Sequence, residues 1–459
     1  MKFITPSMSK KTLQLLRKAK PKTQGTKLYC KEFGLPNLKI STFYQNYSLD
    51  IKKVFLEIFS KLEVSQKMED LLAGKIVNLS EQRAALHHYY RNPEFKTAGF
   101  DLAYAAETLQ QKITKGKYQN VFVFGIGGSF EGPKLLLEAL TIPKNLNIFF
   151  ITGPDKDEFN SIVKTRLTEK NLYLFASKSF STDETLLTYS WLPKNLLKEH
   201  FVGITANPSK ASELGILSHN ILTFPETIGG RYSIWSPISA AVLNKKSADA
   251  FLKGARAIDD SIKSKGSAFK AIQEIVFYDL WSHNILNKDS RVVLTYNWKL
   301  RSLTNYLQQL EMESLGKQPA NNSIFQKTGQ TIYGGFGSTA QHSYFQLLHQ
   351  GTSNTVADVV HAKSSSSRLL NAQAEGQAKL LAGKIKYTKG LDATNSNIPV
   401  NFFALKNLSP ESLGSLIAFW EYRVFVTAAM LKINPFDQFG VNAGKKVAQR
   451  ILSNKLLSK

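Results

Sequence analysis

The chain has 459 residues, with 59 Lys and Arg against 35 Asp and Glu, for a formal net charge of +24. Hydrophobic residues make up 43% and charged residues 20%, which excludes a chain disordered throughout. A domain size of about 150 residues predicts about three domain-sized units, or two with appendages. The single cysteine, Cys30, excludes an intramolecular disulfide and a multi-cysteine zinc site, and it suits a reducing compartment.

Residues 1–31 carry nine Lys or Arg and no Asp or Glu. They read as a solvated basic tail with a short amphipathic helix; an arm that touches nucleic acid or membrane is the alternative. The stretch lacks an uninterrupted apolar segment, which argues against a secretory signal. Residues 1–95 read mainly as helix, with Ser80 as the cap of a helix over 80–88. An alternation follows, with strands over 120–125 (NVFVFG), 147–152, 172–176 and 201–205 and helices over 131–140, 158–167 and 182–191. Strand–helix–strand order with apolar strands predicts an α/β fold on a doubly wound parallel sheet.

Residues 240–290 return to helix. RVVLTY at 291–296 opens a second α/β block, continued by helices over 302–313 and 341–349 and a strand over 400–405. Residues 363–368 (KSSSSR) read as a surface loop. The apolar run 415–431 contains Glu421 and Arg423, which are costly in lipid, so no membrane span is expected. Lysines are spread along the whole chain without a zinc-finger, basic-zipper or RNA-recognition signature. No specific nucleic-acid partner is expected, although so positive a field favours anionic ligands.

Several stretches could carry chemistry. Gly125-Ile126-Gly127-Gly128-Ser129 follows a strand and precedes a helix, where backbone amides and a helix N-terminus favour an anion. It lacks the endings of a Walker loop and of the dinucleotide fingerprint, so a tight strand–helix turn is the competing reading. The stretch 177–185 (SKSFSTDET) places Ser177, Ser179, Ser181 and Thr182 beside Lys178 at a second strand end, a phosphate cradle or a hydroxyl-rich helix cap. Two such loops at successive strand ends point to one crevice. Gln309 and Glu313 lie four residues apart and share a helix face, where Glu313 is either a general base or an exposed helical glutamate. His342 and His349 fall on roughly one face of the predicted helix, too far apart for a metal pair. Arg231, in GGRYSIWS at 229–236, is a candidate for an oxyanion partner. Gln438 and Lys445 stand near a helix start in INPFDQFGVNAGK at 433–445.

Taken in order, GIGGS at 125–129, SKSFSTDET at 177–185, GGRYSIWS at 229–236, QLEMESLGK at 309–317, GSTAQH at 337–342, LLHQGT at 347–352 and INPFDQFGVNAGK at 433–445 resemble the glucose-6-phosphate isomerase family over roughly residues 50–450. The resemblance implies two sugar-isomerase (SIS) α/β domains and a cytoplasmic homodimer with a shared active site. The expected organisation is a helical region 1–95, SIS domains at 96–245 and 286–430, a helical connection 246–285, and a C-terminal segment 431–459 carrying site residues.

By motif, Glu313 resembles the base that moves a proton between C2 and C1. His342 resembles the ring-opening histidine given by the neighbouring subunit, with Lys445 as its helper. Arg231 resembles the arginine facing the enediolate, and Glu184 the acid that orients the histidine. Gly128, Ser129, Ser177, Lys178, Ser179, Ser181 and Thr182 resemble substrate- and phosphate-binding positions, and Gln309 and Gln438 substrate-contacting glutamines. No metal or redox cofactor is implied. The chain departs from the family pattern at Ser338-Thr339-Ala340, Leu315 and Asp183, where Thr-Asn-Gly, Asn and Gln are usual. A broader phosphosugar isomerase that also takes mannose phosphate, and a non-catalytic sugar-phosphate or polyanion binder on the same scaffold, are the alternatives.

Overall fold

The computed structural model describes residues 12, 14–16, 18, 28–92, 94, 101–140, 146–168, 170–365, 367–394 and 397–457. Most of the basic N-terminal arm lies outside the described residues.

The first α/β half has five parallel strands in the spatial order Asn147–Ile151, Asn120–Phe124, Asn171–Ala176, Phe201–Thr205 and Ile221–Thr223. The strand Asn171–Ala176 is buried along its whole length, as a near-continuous apolar run requires in a sheet covered on both faces. The chain leaves Asn120–Phe124, crosses to Asn147–Ile151 on one side, and returns to Asn171–Ala176 on the other. The order therefore reverses between the two central strands, and a crevice opens at their carboxyl ends. The loops 125–129 and 177–182 both leave from that edge.

The second sheet has six strands in the order Tyr29–Leu35, Leu38–Tyr44, Val400–Leu405, Thr355–Ala362, Ser290–Thr295 and Thr331–Phe336. The last four are mutually parallel, while the first two form a hairpin whose second strand, Leu38–Tyr44, pairs antiparallel with Val400–Leu405. This corrects the helical reading of 1–95 over residues 29–44, while Leu49–Lys61 and Val64–Leu72 are helices as expected. The hairpin turns at Pro36-Asn37, where Asn37 adopts φ 61°, a conformation asparagine tolerates. Residues 80–88 are also not a helix: they hold turns and the short strand Arg83–Ala84, and Ser80 donates to Asp437 Oδ2 at 2.6 Å instead of capping.

The expected helical connection is two long helices, Lys245–Lys263 and Ser267–Asn284, that are part of the core. They pack on Pro410–Leu431, which is buried from Ser412 onward. Helices Lys245–Lys263 and Pro410–Leu431 cross very closely. A Cβ on Gly254 would stand 1.9 Å from the Glu411 carbonyl oxygen, and one on Gly414 2.0 Å from that of Phe251. The charges that argued against lipid are paired inside protein. Glu421 accepts from Arg91 and, at 2.8 Å, from Trp235 Nε1. Arg423 binds Asp279 at 2.9 and 3.1 Å and Asp358 at 2.8 Å. Among the described residues no helix is long and apolar enough to cross a membrane.

Asp358 is fully buried and also accepts from Arg291 at 2.8 Å and Asn401 at 2.7 Å. Burial alone would raise its pKa, but Arg423 and Arg291 outweigh that and hold it below the ordinary aspartate value. Asp358→Ala leaves two guanidiniums short of a counter-ion and should cost about 3–5 kcal/mol, measured by urea denaturation at neutral pH. A depressed pKa means that this stabilisation is complete above the ordinary aspartate value and lost as pH falls through the depressed one. The gap between parent and variant should close at acid pH.

Candidate active site

Backbone proximity builds the crevice first. Gly127 to Ser129 form a single tight turn, and Gly127 adopts φ 58°. A Cβ on Gly128 would lie 1.9 Å from the Gly230 carbonyl oxygen, so only glycine lets this loop rest on segment 229–236. Ser233 Oγ donates to Gly128 O at 3.3 Å and fastens the two. The Gln309 amide nitrogen lies 3.0 Å from where a Cβ on Gly127 would stand. The glycine loop, Arg231's segment and Gln309 thus share one place.

The serine loop is held by its own hydroxyls. Ser177 Oγ and Thr182 Oγ1 are 3.0 Å apart, and the Phe180 amide donates to Ser177 Oγ at 3.2 Å. Ser179 Oγ accepts from the Ser181 amide at 3.3 Å and from Ser181 Oγ at 2.7 Å. Thr182 precedes the helix Asp183–Ser190. Lys178 is turned to the Glu226 carbonyl at 2.6 Å. Its burial, with Arg83 near it, lowers its pKa to about 8.

Arg231 is buried and tied to two other segments. Its Nε donates to Ser314 Oγ at 2.7 Å and its Nη1 to Gln438 Oε1 at 2.9 Å. Its Nη2 donates to the carbonyls of Asp437, at 2.9 Å, and Pro435. Glu313 Oε2 stands 3.5 Å from Nη1. That oxygen is shielded from solvent yet accepts no hydrogen bond among the described residues. A carboxylate so placed has a free lone pair and a fixed cation beside it.

Three residues that the sequence reading left without a role complete this corner. Tyr232 OH lies 3.1 Å from Ser314 Oγ. Lys317 Nζ donates to the carbonyls of Glu313 at 3.0 Å and Ser314 at 2.8 Å, and lies 3.6 Å from Asp437 Oδ1. Burial, with Arg231 near it, brings the Lys317 pKa to about 8. Their signal was present in GGRYS and ESLGK, but only the contact with 435–438 gives it meaning.

The other predicted residues are not gathered here by the single chain. The helix expected over 341–349 is interrupted: Gly337–Ala340 ends, residues 341–344 turn, and Phe345–Gln350 begins. His342 is exposed on that turn, while His349 Nε2 pairs with Gln377 Oε1 at 2.9 Å. The two therefore do not share one helix face. Lys445 is exposed in the first turn of Asn442–Leu457. Gln449, one turn further on, donates to Asp183 Oδ2 at 3.3 Å, which sets this helix beside the one carrying Glu184. The departures from the family pattern land in packing or on the surface. Leu315 and Ala340 are buried, and Asp183 is exposed. No group of three His, Cys, Asp or Glu side chains among the described residues is placed to hold a metal ion.

The family model described as phosphoglucose isomerase matches residues 44–459. The chain belongs to the phosphoglucose isomerase family. A glucose-6-phosphate isomerase of Legionella pneumophila (strain Paris) is 31% identical over 438 residues, covering 89% of this chain and 87% of its own. One of Shewanella putrefaciens is 33% identical over 458 residues, covering 86% and 84%. The crystal structure of a glucose-6-phosphate isomerase from Chlamydia trachomatis superposes with a TM-score of 0.81 at 24% identity, covering 100% of this chain and 97% of that one. This likeness establishes the fold, two α/β halves as in the phosphoglucose isomerase family.

Lys178 carries its charge below pH about 8 and loses it above. An anion held at the serine loop should therefore bind severalfold more weakly as pH rises through that value. Calorimetric titration with inorganic phosphate on either side of it is the check. Lys178→Arg, charged throughout, should flatten the dependence.

Proposed function

We propose that this chain interconverts D-glucose 6-phosphate and D-fructose 6-phosphate through a cis-enediol(ate), in glycolysis and gluconeogenesis, as a cytoplasmic homodimer. The observation that carries the reading is Glu313 Oε2, unbonded and 3.5 Å from the buried Arg231 guanidinium, beside the glycine loop in a chain of this family. Aldose–ketose exchange needs one carbon-bound proton removed and returned on the same face, and one carboxylate can do both. The oxygen that gains charge needs a cation that does not have to move, and Arg231 is fixed by its hydrogen bonds. Ser177, Ser179, Ser181 and Thr182, with Gly128 and Ser129, hold the phosphate at the crevice and lend orientation to carbons further away. Gln309 and Gln438 border the sugar.

Ring opening needs a proton moved between two oxygens, which is assigned to His342 with Lys445. Within one chain His342 makes no described bond to this corner. The turn carrying it is exposed, and Val447, Ile451 and Leu452 on the C-terminal helix are exposed as well. A second copy covering these surfaces would bring His342 to the neighbouring site, where Glu184 orients it.

Purified protein should form glucose 6-phosphate from fructose 6-phosphate in a coupled assay. Glu313→Gln should keep sugar binding and lower turnover by about 10²- to 10⁴-fold, with proton exchange at the sugar carbon, followed by NMR in deuterated water, lost in step. Near wild-type exchange removes Glu313 from the mechanism.

Mixing His342→Ala with Glu313→Gln subunits tests the shared site. In an isologous heterodimer one site takes both lesions and the other takes neither. Activity should recover toward one good site per heterodimer. No recovery in verified heterodimers means that each chain supplies its own His342.

A further inference from the structure

We infer that Glu311 is a positioning residue: it holds the π-helical turn that presents Glu313 to Arg231. The helical stretch after strand Ser290–Thr295 is not uniform. Leu303–Leu307 is α-helical, Gln308–Met312 is a π turn, and Glu313–Leu315 is α-helical again. A π turn holds one residue more than an α turn, so everything beyond it is rotated by about 100° against an unbroken α-helix. In the α register Glu313 would leave the face on which Arg231 lies. The wider turn also costs packing, so something must hold it.

Two side chains tie it to two different elements. Gln308 Nε2 donates to the Ile332 carbonyl at 2.8 Å, on the strand Thr331–Phe336. Glu311 is 6% exposed and accepts from Trp420 Nε1 on the buried helix Pro410–Leu431. Its second oxygen lies 3.7 Å from Arg291 Nε, which has no hydrogen-bond partner among the described residues. A carboxylate two residues before the base is thus gripped by a helix that is buried from Ser412 to its end. It belongs to a cluster in which Arg291 and Arg423 face Asp279, Asp358 and Glu311. Glu311 does not reach the crevice, so its effect runs through the turn and not through the sugar.

The charge count decides the variants. Glu311→Gln keeps an acceptor for the indole N–H and leaves two arginines facing two aspartates, so it should fold and keep the turn. Glu311→Ala removes the acceptor, and Trp420→Phe removes the donor while keeping a ring against Phe403.

The inference rests on the proposed reaction, and wild-type activity separates the two. An inactive wild type overturns the reaction. An active wild type with insensitive variants overturns only the role of Glu311. Glu311→Ala should lower kcat by about ten- to a hundredfold with KM for fructose 6-phosphate within about twofold, because phosphate anchoring sits on a different loop. Glu311→Gln should restore most of kcat. Trp420→Phe should reproduce the kcat-selective loss, and it decides alone if Glu311→Ala does not fold. Unchanged kcat in the folded variants, a KM rise that matches the kcat loss, or no restoration by Glu311→Gln overturns the role.

Discussion

An arginine removed from water must find acceptors for its N–H groups, or its burial costs several kcal/mol. Arg231 finds them on Ser314 and on residues 435–438, up to 207 residues along the chain. The site depends on this requirement. Ser314 is the neighbour of Glu313, so satisfying the guanidinium also fixes where the carboxylate stands. The loop at 435–438 precedes the helix that carries Lys445, so the same bonds fix where that helix starts. Lys317 reinforces the arrangement from the other side of the loop through Asp437.

The buried helix Pro410–Leu431 plays a comparable part on a larger scale. Glu421 and Arg423 are two positions apart, yet they serve different neighbourhoods. Glu421 meets Arg91 and Trp235, and Arg423 meets the second sheet and the helix Ser267–Asn284. Buried ion pairs of this kind add little net stability over apolar packing. Their geometry is directional, however, and the close approach at Gly254 and Gly414 leaves the crossing little room to slide. The helix is therefore seated in one register, and Trp420, one position from Glu421, is seated with it.

The central strands of the first half were legible because each is an apolar run between turn signals. The second sheet was less so. Thr355–Ala362 is buried throughout but contains Asp358 and His361, and the arginines that make Asp358 tolerable, Arg423 and Arg291, lie 65 and 67 residues away. Thr331–Phe336 carries two glycines, which weaken a strand pattern. In the hairpin at 29–44 no strict apolar–polar alternation announces a strand, since Lys31 and Glu32 are adjacent and so are Ser41 and Thr42, and only the Pro36-Asn37 turn signal stood out. At the site, the stretches carrying Arg231, Gln309, Glu313 and Gln438, which the structure brings together, were legible as motifs, because each motif is local. The partners of Arg231 and the interruption before Phe345 were not, because both follow from contacts between distant segments. The π turn left no mark in the sequence, since its cause is Trp420 and Ile332.

The hairpin at 29–44 has a consequence for how the molecule is made. It leaves the ribosome long before its sheet partner: Tyr44 OH reaches Asn401 Oδ1, at 2.5 Å, across 357 residues of sequence. Pairing so remote in the chain is slow, because loop closure comes before its reward. Until Val400–Leu405 is synthesised, Leu38–Tyr44 presents an unpaired backbone edge, an open invitation to other nascent chains. The first α/β half, whose strands all lie between residues 120 and 223, can close on itself during that interval. Folding during synthesis therefore runs from the middle outward: the half built on residues 120–223 can settle early, and the strands at 29–44 wait for Val400–Leu405 to complete the other.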